Sequence, residues 1–409
     1  MKKGKIMFGI SGALTAASIA LSTAGCAHKA EAVDLMADVS AHEIEGKPAD
    51  AEFTAAYTNF AVKLFKNTCA EGDNSAISPL SVMLALAMTA NGAQGDTEQE
   101  MLALLGSGDI SELNLYLKEL SRRLTEDNTG LKAANALWFN KSSGIEVKKD
   151  FLQTNADFYS ADAFSEEFGT ETAGKINSWV SRNSDGMIEK IIDETAVDAV
   201  MYLANAVSFD GKWREAFTEA TPAPFTNVIG EEKQAQMMSA SESVILENDS
   251  ARGFIKEYEG GFSFAALLPD GYVDINDWIS SLSGEELADI LSSEREGSFE
   301  IHMPKFSFDS SFNLKDVLYK LGMYTAFDPY TADFSAISGS NSVYIDRVLH
   351  KTRIDVYEAG TKAAAATVVE MRCKGSMQDE IITFDRPFVF AILDSETRLP
   401  IFIGTVKDV

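Results

Sequence analysis

The sequence predicts one mixed α/β (α+β) unit, on the strength of three observations. Apolar stretches with helical spacing and continuous apolar runs suited to buried strands both occur along the chain. No internal repeat and no low-complexity linker is found after residue 50. The 409 residues are 45% hydrophobic and 24% charged, which is typical of a globular protein with a sizeable core. We therefore expect a single core from about residue 51 to residue 409.

The N-terminal residues are expected to be a targeting signal and not part of the fold. A positively charged start is followed by small apolar residues over 6–20, a stretch too short to span a bilayer. Small residues then lead into Cys26, and this pattern resembles a bacterial lipoprotein box. Residues 1–25 are predicted to be a signal peptide and Cys26 a lipid attachment site. The alternative is a plain cleaved signal that happens to contain a cysteine.

Residues 26–50 are polar and rich in Glu, and they are predicted to be a flexible tether. Export to the cell envelope or the extracellular space follows, with membrane contact only through the lipid. The remaining cysteines, Cys69 and Cys373, form no CxxC pair, so a disulfide framework and a structural zinc site are both unsupported. No metal and no cofactor are expected.

Local signals place the first helices. Apolar residues at helical spacing over 53–65 predict a helix with one face on the core. Ser78 is a suitable N-cap and Pro79 a suitable first residue for a second helix over 82–88, which is apolar on all sides and should lie deep in the interior. Two more helices are expected at 97–105 and 111–124.

The rest of the chain alternates strands with helices. Continuous apolar runs predict buried strands, the one at 199–209 being covered on both faces. Ser283 and Glu286 form a capping box before a further helix. The predicted strands are 131–140, 199–209, 262–268, 301–308, 343–357, 381–393 and 401–406, and a helix is predicted at 173–192.

Charge and missing motifs exclude several classes of function. The chain has 35 basic and 62 acidic side chains, a net charge of −27, so a nucleic-acid partner is not expected. The histidines are His28, His42, His302 and His350, and no HExxH, GxSxG or phosphate-binding glycine loop is present. No pair of carboxylates stands out as an acid and a base. The protein is therefore predicted not to be an enzyme.

The most informative segment is 358–374. Its alanine run would favour a helix, but it follows a glycine and leads into β-branched residues, which favour a strand. Side chains of a strand alternate between two faces. From Thr361 onward the odd-numbered positions carry no charge, whereas the even-numbered positions carry every charge, from Lys362 to Lys374. The segment could therefore become a strand with one face for a core and one for water; an ordinary amphipathic edge strand is the alternative.

The segment resembles the hinge of the reactive-centre loop of inhibitory serpins. Further segments resemble serpin motifs in the same order along the chain, over residues 53 to 409. They are Asn74 with 78–81, 176–180 with Gly186, 205–213, 304–306, 321–323, 333–335, 385–390 and 402–404. The ordered set is far more specific than any one member.

The resemblance implies a serpin fold with about three β-sheets, surrounding helices and an exposed reactive-centre loop. It implies a suicide-substrate mechanism, in which a protease acylated by the loop is trapped when the loop inserts into the central sheet of a metastable fold. The implied partner is an extracellular trypsin-like serine protease, and the protein is expected to be a monomer. The implied residues are the hinge Glu358, Gly360, Thr361, Ala363, Ala364, Ala365, Ala366 and Thr367, the shutter Ser78, Ser81, Asn205 and His350, and Trp213 at the breach, where insertion begins.

The scissile bond is predicted after Lys374, before Gly375. This position follows from the hinge-to-bond spacing that the resemblance implies, and Lys374 would fill the acidic pocket of a trypsin-like protease. Arg372 offers the same chemistry in a shorter register, and counting back from Phe384 gives a bond near Ser376. Two other functions remain open: a non-inhibitory serpin-fold binding protein, and an inhibitor of a cysteine protease.

Overall fold

The computed structural model describes residues 32–125, 129–271, 273–339, 343–361 and 380–409. Within these ranges the α-helices are α1 (Ala51–Thr68), α2 (Pro79–Ala90), α3 (Gly95–Leu105), α4 (Ile110–Leu124), α5 (Lys149–Tyr159), α6 (Thr172–Asn183), α7 (Ile275–Ser281), α8 (Gly284–Ser292) and α9 (Lys315–Lys320). The strands are β1 (Val33–Asp34), β2 (Ser75–Ile77), β3 (Leu131–Asn140), β4 (Asp162–Glu166), β5 (Met201–Phe209), β6 (Gly211–Lys212), β7 (Thr221–Thr226), β8 (Glu232–Glu247), β9 (Ala251–Glu257), β10 (Phe262–Pro269), β11 (Glu294–Pro304), β12 (Phe306–Asn313), β13 (Leu349–Tyr357), β14 (Gly360–Thr361), β15 (Glu380–Thr383), β16 (Phe388–Asp394) and β17 (Pro400–Val406).

The strands form three sheets in the described part of the chain, which confirms the predicted fold class. One sheet has the order β1-β4-β3-β5 and a second has the order β12-β13-β14-β6. The third has nine strands in the order β15-β11-β8-β9-β10-β16-β17-β2, with β7 paired to β8. A parallel bridge between Leu203 and Val348 joins the first two sheets, so β5 and β13 are neighbours in one larger central sheet.

The core lies between the central sheet, the nine-stranded sheet and the helices α1 and α2. Every residue of α2 is buried, as its apolar sequence predicts, and the Ser78 hydroxyl accepts a hydrogen bond from the backbone N–H of Ser81 at its start. All residues of β16 and β17 are buried as well. The predicted cap of α8 is also present, since the Ser283 hydroxyl accepts from the N–H of Glu286 at 3.0 Å. No helix in the described ranges is long and apolar enough to span a membrane.

Several predicted elements are shorter than their apolar patterns indicate, or are divided in two. The helix predicted at 173–192 ends at Asn183, because Asp185 and Gly186 have positive φ angles that a helix cannot continue. The strand predicted at 301–308 is two strands that meet at Lys305. The strand predicted at 343–357 begins at Leu349, and the four residues 384–387 separate β15 from β16 within 381–393.

The second half of the predicted tether packs on the protein. Val33 and Asp34 pair with β4 at the edge of the central sheet. Further along, Lys47 donates a backbone hydrogen bond to Leu115 of α4 at 3.0 Å, and the backbone at Gly46 approaches Glu119 so closely that a Cβ there would lie 2.6 Å from the Glu119 Cβ. The contacts arise because apolar side chains among these polar residues, Leu35, Met36, Val39 and Ala49, pack against the core. Residues 33–50 therefore form a strap that belongs to the folded body.

Candidate functional site

The two parallel strands at the centre of the large sheet, β5 and β13, are joined only near their ends in the described structure. One junction is the Leu203–Val348 bridge. The other is β14, which lies between β13 and β6, the short strand that follows β5. Between these two places, no ladder connects β5 with β13 in the described ranges. The sheet thus has a seam that could admit another strand.

The start of the hinge already occupies one end of this seam. The chain leaves β13, turns, and returns as β14, so that Val356 pairs with Thr361 and Tyr357 pairs with Gly360. On its other side β14 pairs with Gly211 and Lys212 of β6. A Cβ at Gly360 would lie 2.2 Å from the carbonyl oxygen of Gly211, so only glycine fits at this crossing.

The turn between β13 and β14 is held by three hydrogen bonds that its backbone carbonyls accept from residues of the loop after β6. The Trp213 indole Nε1–H donates to the carbonyl of Tyr357 at 2.8 Å, and the Trp213 N–H donates to the carbonyl of Ala359 at 3.1 Å. The Phe217 N–H donates to the carbonyl of Glu358, between them, at 2.9 Å. Three successive carbonyls are therefore satisfied, and the position of the turn is fixed.

The side chain of Glu358 adds a charged contact at the same turn. Its Oε1 lies 3.3 Å from the Lys305 Nζ and 3.4 Å from the backbone N of Ala220. Partial burial alone would raise the pKa of Glu358, but the hydrogen bonds and Lys305 outweigh it, and the pKa is lowered. Glu358 is therefore a carboxylate at neutral pH and anchors the beginning of the hinge.

Thr361 points into an aromatic cluster at the breach. Its side chain is fully buried, and its Oγ1 lies 2.7 Å from the hydroxyl of Tyr258. The Tyr258 ring stacks on Trp213, with ring centroids 4.0 Å apart and an interplanar angle of 13°. Phe217 and Phe264 contact the edges of Trp213. Burial raises the pKa of Tyr258 well above its ordinary value, so the hydroxyl stays protonated and available to Thr361.

The four predicted shutter residues are brought together beneath the seam. His350 is on β13, Asn205 is on β5, and Ser78 and Ser81 are at the start of α2. The Ser78 N–H donates to His350 Nε2 at 3.1 Å, and Ser81 Oγ lies 3.4 Å from His350 Nδ1. Ser81 also donates to Asn205 Oδ1. Polar groups on both sides of the seam are thus linked through α2.

Burial keeps His350 neutral. The imidazole is almost completely enclosed, and desolvation lowers the pKa of His350 to about 3. Because the Ser78 N–H donates to Nε2, the ring proton of the neutral form is on Nδ1, where it can be donated to Ser81 Oγ. His350 is therefore a buried structural group in this state and not a proton shuttle.

Two residues of this site were not identified from the sequence. Tyr258 is the partner of Thr361, and no local pattern distinguishes it from other buried aromatic residues. Asn135 accepts a hydrogen bond from Asn205 Nδ2 at 2.5 Å and extends the shutter onto β3. Asn135 did leave a signal, because it is a polar residue in the middle of an apolar strand, where a buried polar partner is required.

Other predicted site residues lie outside the described residues. They are the later hinge positions Ala363, Ala364, Ala365, Ala366 and Thr367, the bait positions Arg372, Lys374 and Gly375, and Cys26 and Cys373. Of the hinge, Glu358, Gly360 and Thr361 are described. Thr361 has the buried orientation that the alternating charge pattern predicts for its face.

Comparisons with known proteins agree with this architecture. The family model "Serpin (serine protease inhibitor)" matches residues 55–409. The chain is 32% identical over 366 residues to human Serpin B8, covering 84% of this chain and 96% of that protein. It is 31% identical to the leukocyte elastase inhibitor of Xenopus tropicalis, covering 86% of this chain and 98% of that protein.

Solved structures give the same result. The chain superposes on the native state of tengpin, a thermophilic serpin, with a TM-score of 0.88 and 38% identity, covering 93% of this chain and 100% of that one. It superposes on the latent state of tengpin with a lower TM-score of 0.79, covering 89% of this chain and 100% of that one. The described structure is therefore more similar to the native arrangement than to the latent one.

Proposed function

Because the chain belongs to the serpin family, we propose that it is a suicide-substrate inhibitor of an extracellular trypsin-like serine protease. The observation that supports this most directly is the position of Gly360 and Thr361, paired as β14 at one end of the seam. A cleaved loop that continues from Thr361 would extend β14 along the seam between β5 and β13. Loop insertion in serpins is itself an established example of a conformational switch of this kind.

Trapping of the protease requires that the cleaved loop inserts into the sheet faster than the acyl-enzyme is hydrolysed. The protease serine forms an ester with the carbonyl carbon of the bait residue, the peptide bond breaks, and the new amine leaves with the C-terminal fragment. The freed loop then inserts and carries the acylated protease away from its attack position. The small side chains at 363–366 favour rapid insertion because few large groups must be accommodated. The serpin is consumed in this reaction, so it acts as an inhibitor and not as a catalyst.

The bait residue is tested by replacing Lys374 with Ala. Trypsin is expected to form a covalent complex with the wild type that survives boiling in detergent, and Lys374→Ala is expected to slow its formation roughly 100-fold or more, because the acidic specificity pocket is left without a cation. Arg372→Ala is the matched control and should inhibit normally. The N-terminal residue of the released fragment, Gly375 or Cys373, is read by mass spectrometry.

Other outcomes of this test distinguish the alternatives. If Arg372→Ala abolishes the complex and Lys374→Ala does not, the bond follows Arg372. If trypsin only cleaves the loop and no complex forms, inhibition of trypsin-like proteases is refuted. A large rise in thermal stability on cleavage would then still indicate loop insertion and direct the search to other proteases, cysteine proteases included. The absence of such a rise would favour a non-inhibitory binding protein.

We propose further that the protein is exported and acylated at Cys26. The support is the charged and apolar N-terminal sequence and the small residues that precede this cysteine. In bacterial cells fed labelled palmitate, the wild type is expected to carry the label and to sediment with membranes, whereas Cys26→Ser should do neither. A Cys69→Ser control should remain labelled. Labelling of Cys26→Ser would contradict the proposal.

A further inference from the structure

A buried lysine near the C-terminus reaches the end of the first helix. Lys407 is the first residue after β17, and its ammonium group donates to the carbonyl oxygens of Ala70 and Glu71, the latter at 3.3 Å. These two residues directly follow the C-cap of α1, where carbonyl groups attract a cation. Lysine side chains are rarely fully buried, yet Lys407 is completely enclosed. Its amine is therefore held inside the protein at a defined place.

Two asparagines fix the position of the Lys407 amine further. Asn276, at the start of α7, accepts from Nζ at 2.5 Å. Asn74 holds the backbone, because its Oδ1 accepts from the N–H of Lys407 at 2.6 Å and from the N–H of Asp408 at 3.0 Å. The amine is thus oriented by three oxygen atoms, and the backbone that carries it is anchored.

A thiol is also in contact with this amine. Cys69 is the C-cap of α1 and forms no disulfide in the described structure, and its Sγ lies 3.4 Å from the Lys407 Nζ. This separation is within the range of about 3–3.5 Å at which two positioned groups are ready to react. Cys69 is partly exposed whereas Lys407 is enclosed, so a small solute can reach the sulfur but not the amine.

We propose that Cys69 and Lys407 form an oxidation site, at which hydrogen peroxide creates a covalent bond between Sγ and Nζ. The Cys69 thiolate attacks one peroxide oxygen, the O–O bond breaks, and a sulfenic acid forms while hydroxide leaves. Hydroxide takes a proton from the Lys407 ammonium and becomes water. The amine lone pair then attacks Sγ, the S–O bond breaks, and the sulfenic oxygen leaves as water with its own hydrogen and a proton from the amine. Sulfur loses two electrons, and peroxide is reduced to two waters.

The position of the amine favours this product over further oxidation of the sulfur. A sulfenic acid otherwise condenses with another thiol or is oxidised to sulfinic acid. The described residues contain no cysteine besides Cys69, so the nearby nucleophile there is the Lys407 amine. A group already placed at reacting distance has a very high effective concentration, and capture by the amine should therefore precede a second encounter with peroxide.

The bond would reinforce the fold reversibly. It joins the end of α1 to the residue after β17, and so closes a loop that contains most of the chain. A cross-link that closes a long loop restricts the unfolded state strongly. Because thiols reduce the S–N bond, the same protein would alternate between a linked form under oxidising conditions and an unlinked form under reducing conditions.

Mass spectrometry of the full chain tests the bond. After treatment with hydrogen peroxide, unfolding and digestion, the peptide with Cys69 is expected to be joined to the peptide with Lys407. The joined peptide should be lighter than the sum of the two by two hydrogen atoms, and dithiothreitol should separate them. Cys69→Ser should give no joined peptide. Sulfinic acid at Cys69 of the wild type, without a joined peptide, would overturn the proposal.

A matched pair of lysine variants identifies the amine. Lys407→Arg keeps a cation at the end of α1 but removes the amine, so Cys69 should accumulate as a sulfenic acid that dimedone labels. Lys66→Arg changes a lysine three residues before Cys69 on α1, whose Nζ donates to the Leu282 carbonyl, and should form the link like the wild type. Equal dimedone labelling of the wild type and Lys407→Arg would contradict the role of Lys407.

Thermal unfolding, followed by circular dichroism, tests the reinforcement. Peroxide is expected to raise the Tm of the wild type by roughly 5 °C, dithiothreitol should reverse the change, and neither Cys69→Ser nor Lys407→Arg should show a rise. A joined peptide with an unchanged Tm would disprove the reinforcement. None of these measurements depends on whether the protein inhibits a protease.

Discussion

If the protein inhibits trypsin as proposed, replacing Thr361 by Arg is expected to turn it into a substrate of trypsin. Thr361 is fully buried against Tyr258, and a guanidinium at this position would be a buried charge without a partner. In the uncleaved variant β14 would leave the seam to keep the guanidinium in water, so insertion would have to bury it again, at a penalty of about 3 kcal/mol. This penalty would slow insertion roughly 100-fold, and hydrolysis of the acyl-enzyme would then dominate. The measurement is the fraction of trypsin in a detergent-stable complex compared with the fraction of cleaved serpin.

Two variants make this result specific. Thr361→Ser keeps the hydroxyl group opposite Tyr258 and should inhibit almost normally. Ala359→Arg adds the same charge two residues earlier, on the partly exposed turn, and should retain most of the complex. Undiminished complex formation by Thr361→Arg would show that trapping does not require residue 361 to be buried against Tyr258.

Acidification is expected to destabilise the native fold through His350. The unfolded chain takes up a proton on this residue near pH 6.5, whereas the folded protein does so only near pH 3. The unfolded state therefore binds more protons between these values, and the free energy of unfolding falls as the pH falls. His350 alone should lower it by roughly 2–3 kcal/mol between pH 6.5 and 4.5, and by roughly 4–5 kcal/mol by pH 3.

Urea unfolding of the wild type and of His350→Gln, at several pH values, measures this contribution. The variant cannot titrate at this position, so the difference between the two proteins should shrink as the pH falls from 6.5 to 4.5. Carboxylates with lowered pKa values, such as Asp394, lose their contribution at lower pH in both proteins and cancel in the comparison. Parallel pH profiles for the two proteins would show that His350 is not the titrating group.

The sequence predicted the buried elements better than their ends. The apolar run at β5 and the all-apolar helix α2 were identified because burial on every side requires a continuous apolar sequence. The end of α6 was misplaced by nine residues, Ile192 against Asn183, because apolar residues continue beyond the helix while the backbone turns. The packing of the strap was also missed, since a few apolar side chains in a polar segment give no periodic signal.

At the site, sequence resemblance and structure contributed different parts. Resemblance to a family identified Ser78, Ser81, Asn205 and His350, and the structure brings them together. The resemblance could not predict the contact between Thr361 and Tyr258, because these residues are 103 positions apart and each fits an ordinary local pattern. Asn135 could have been inferred as a buried polar residue in need of a partner, but its partner could be found only from the register of β3 against β5.

The hairpin of β13 and β14 has a kinetic consequence for any strand that enters the seam. Adding a strand to a sheet has a slow nucleation step and a fast propagation step. The first residue pair forms slowly because the entering chain loses conformational entropy before it gains hydrogen bonds, and later residue pairs form quickly. Here the first two residues, Gly360 and Thr361, are already paired on both sides. Under the proposed mechanism, nucleation would therefore be complete before a protease binds, and the ratio of trapped to released protease would depend on how fast β5 and β13 separate.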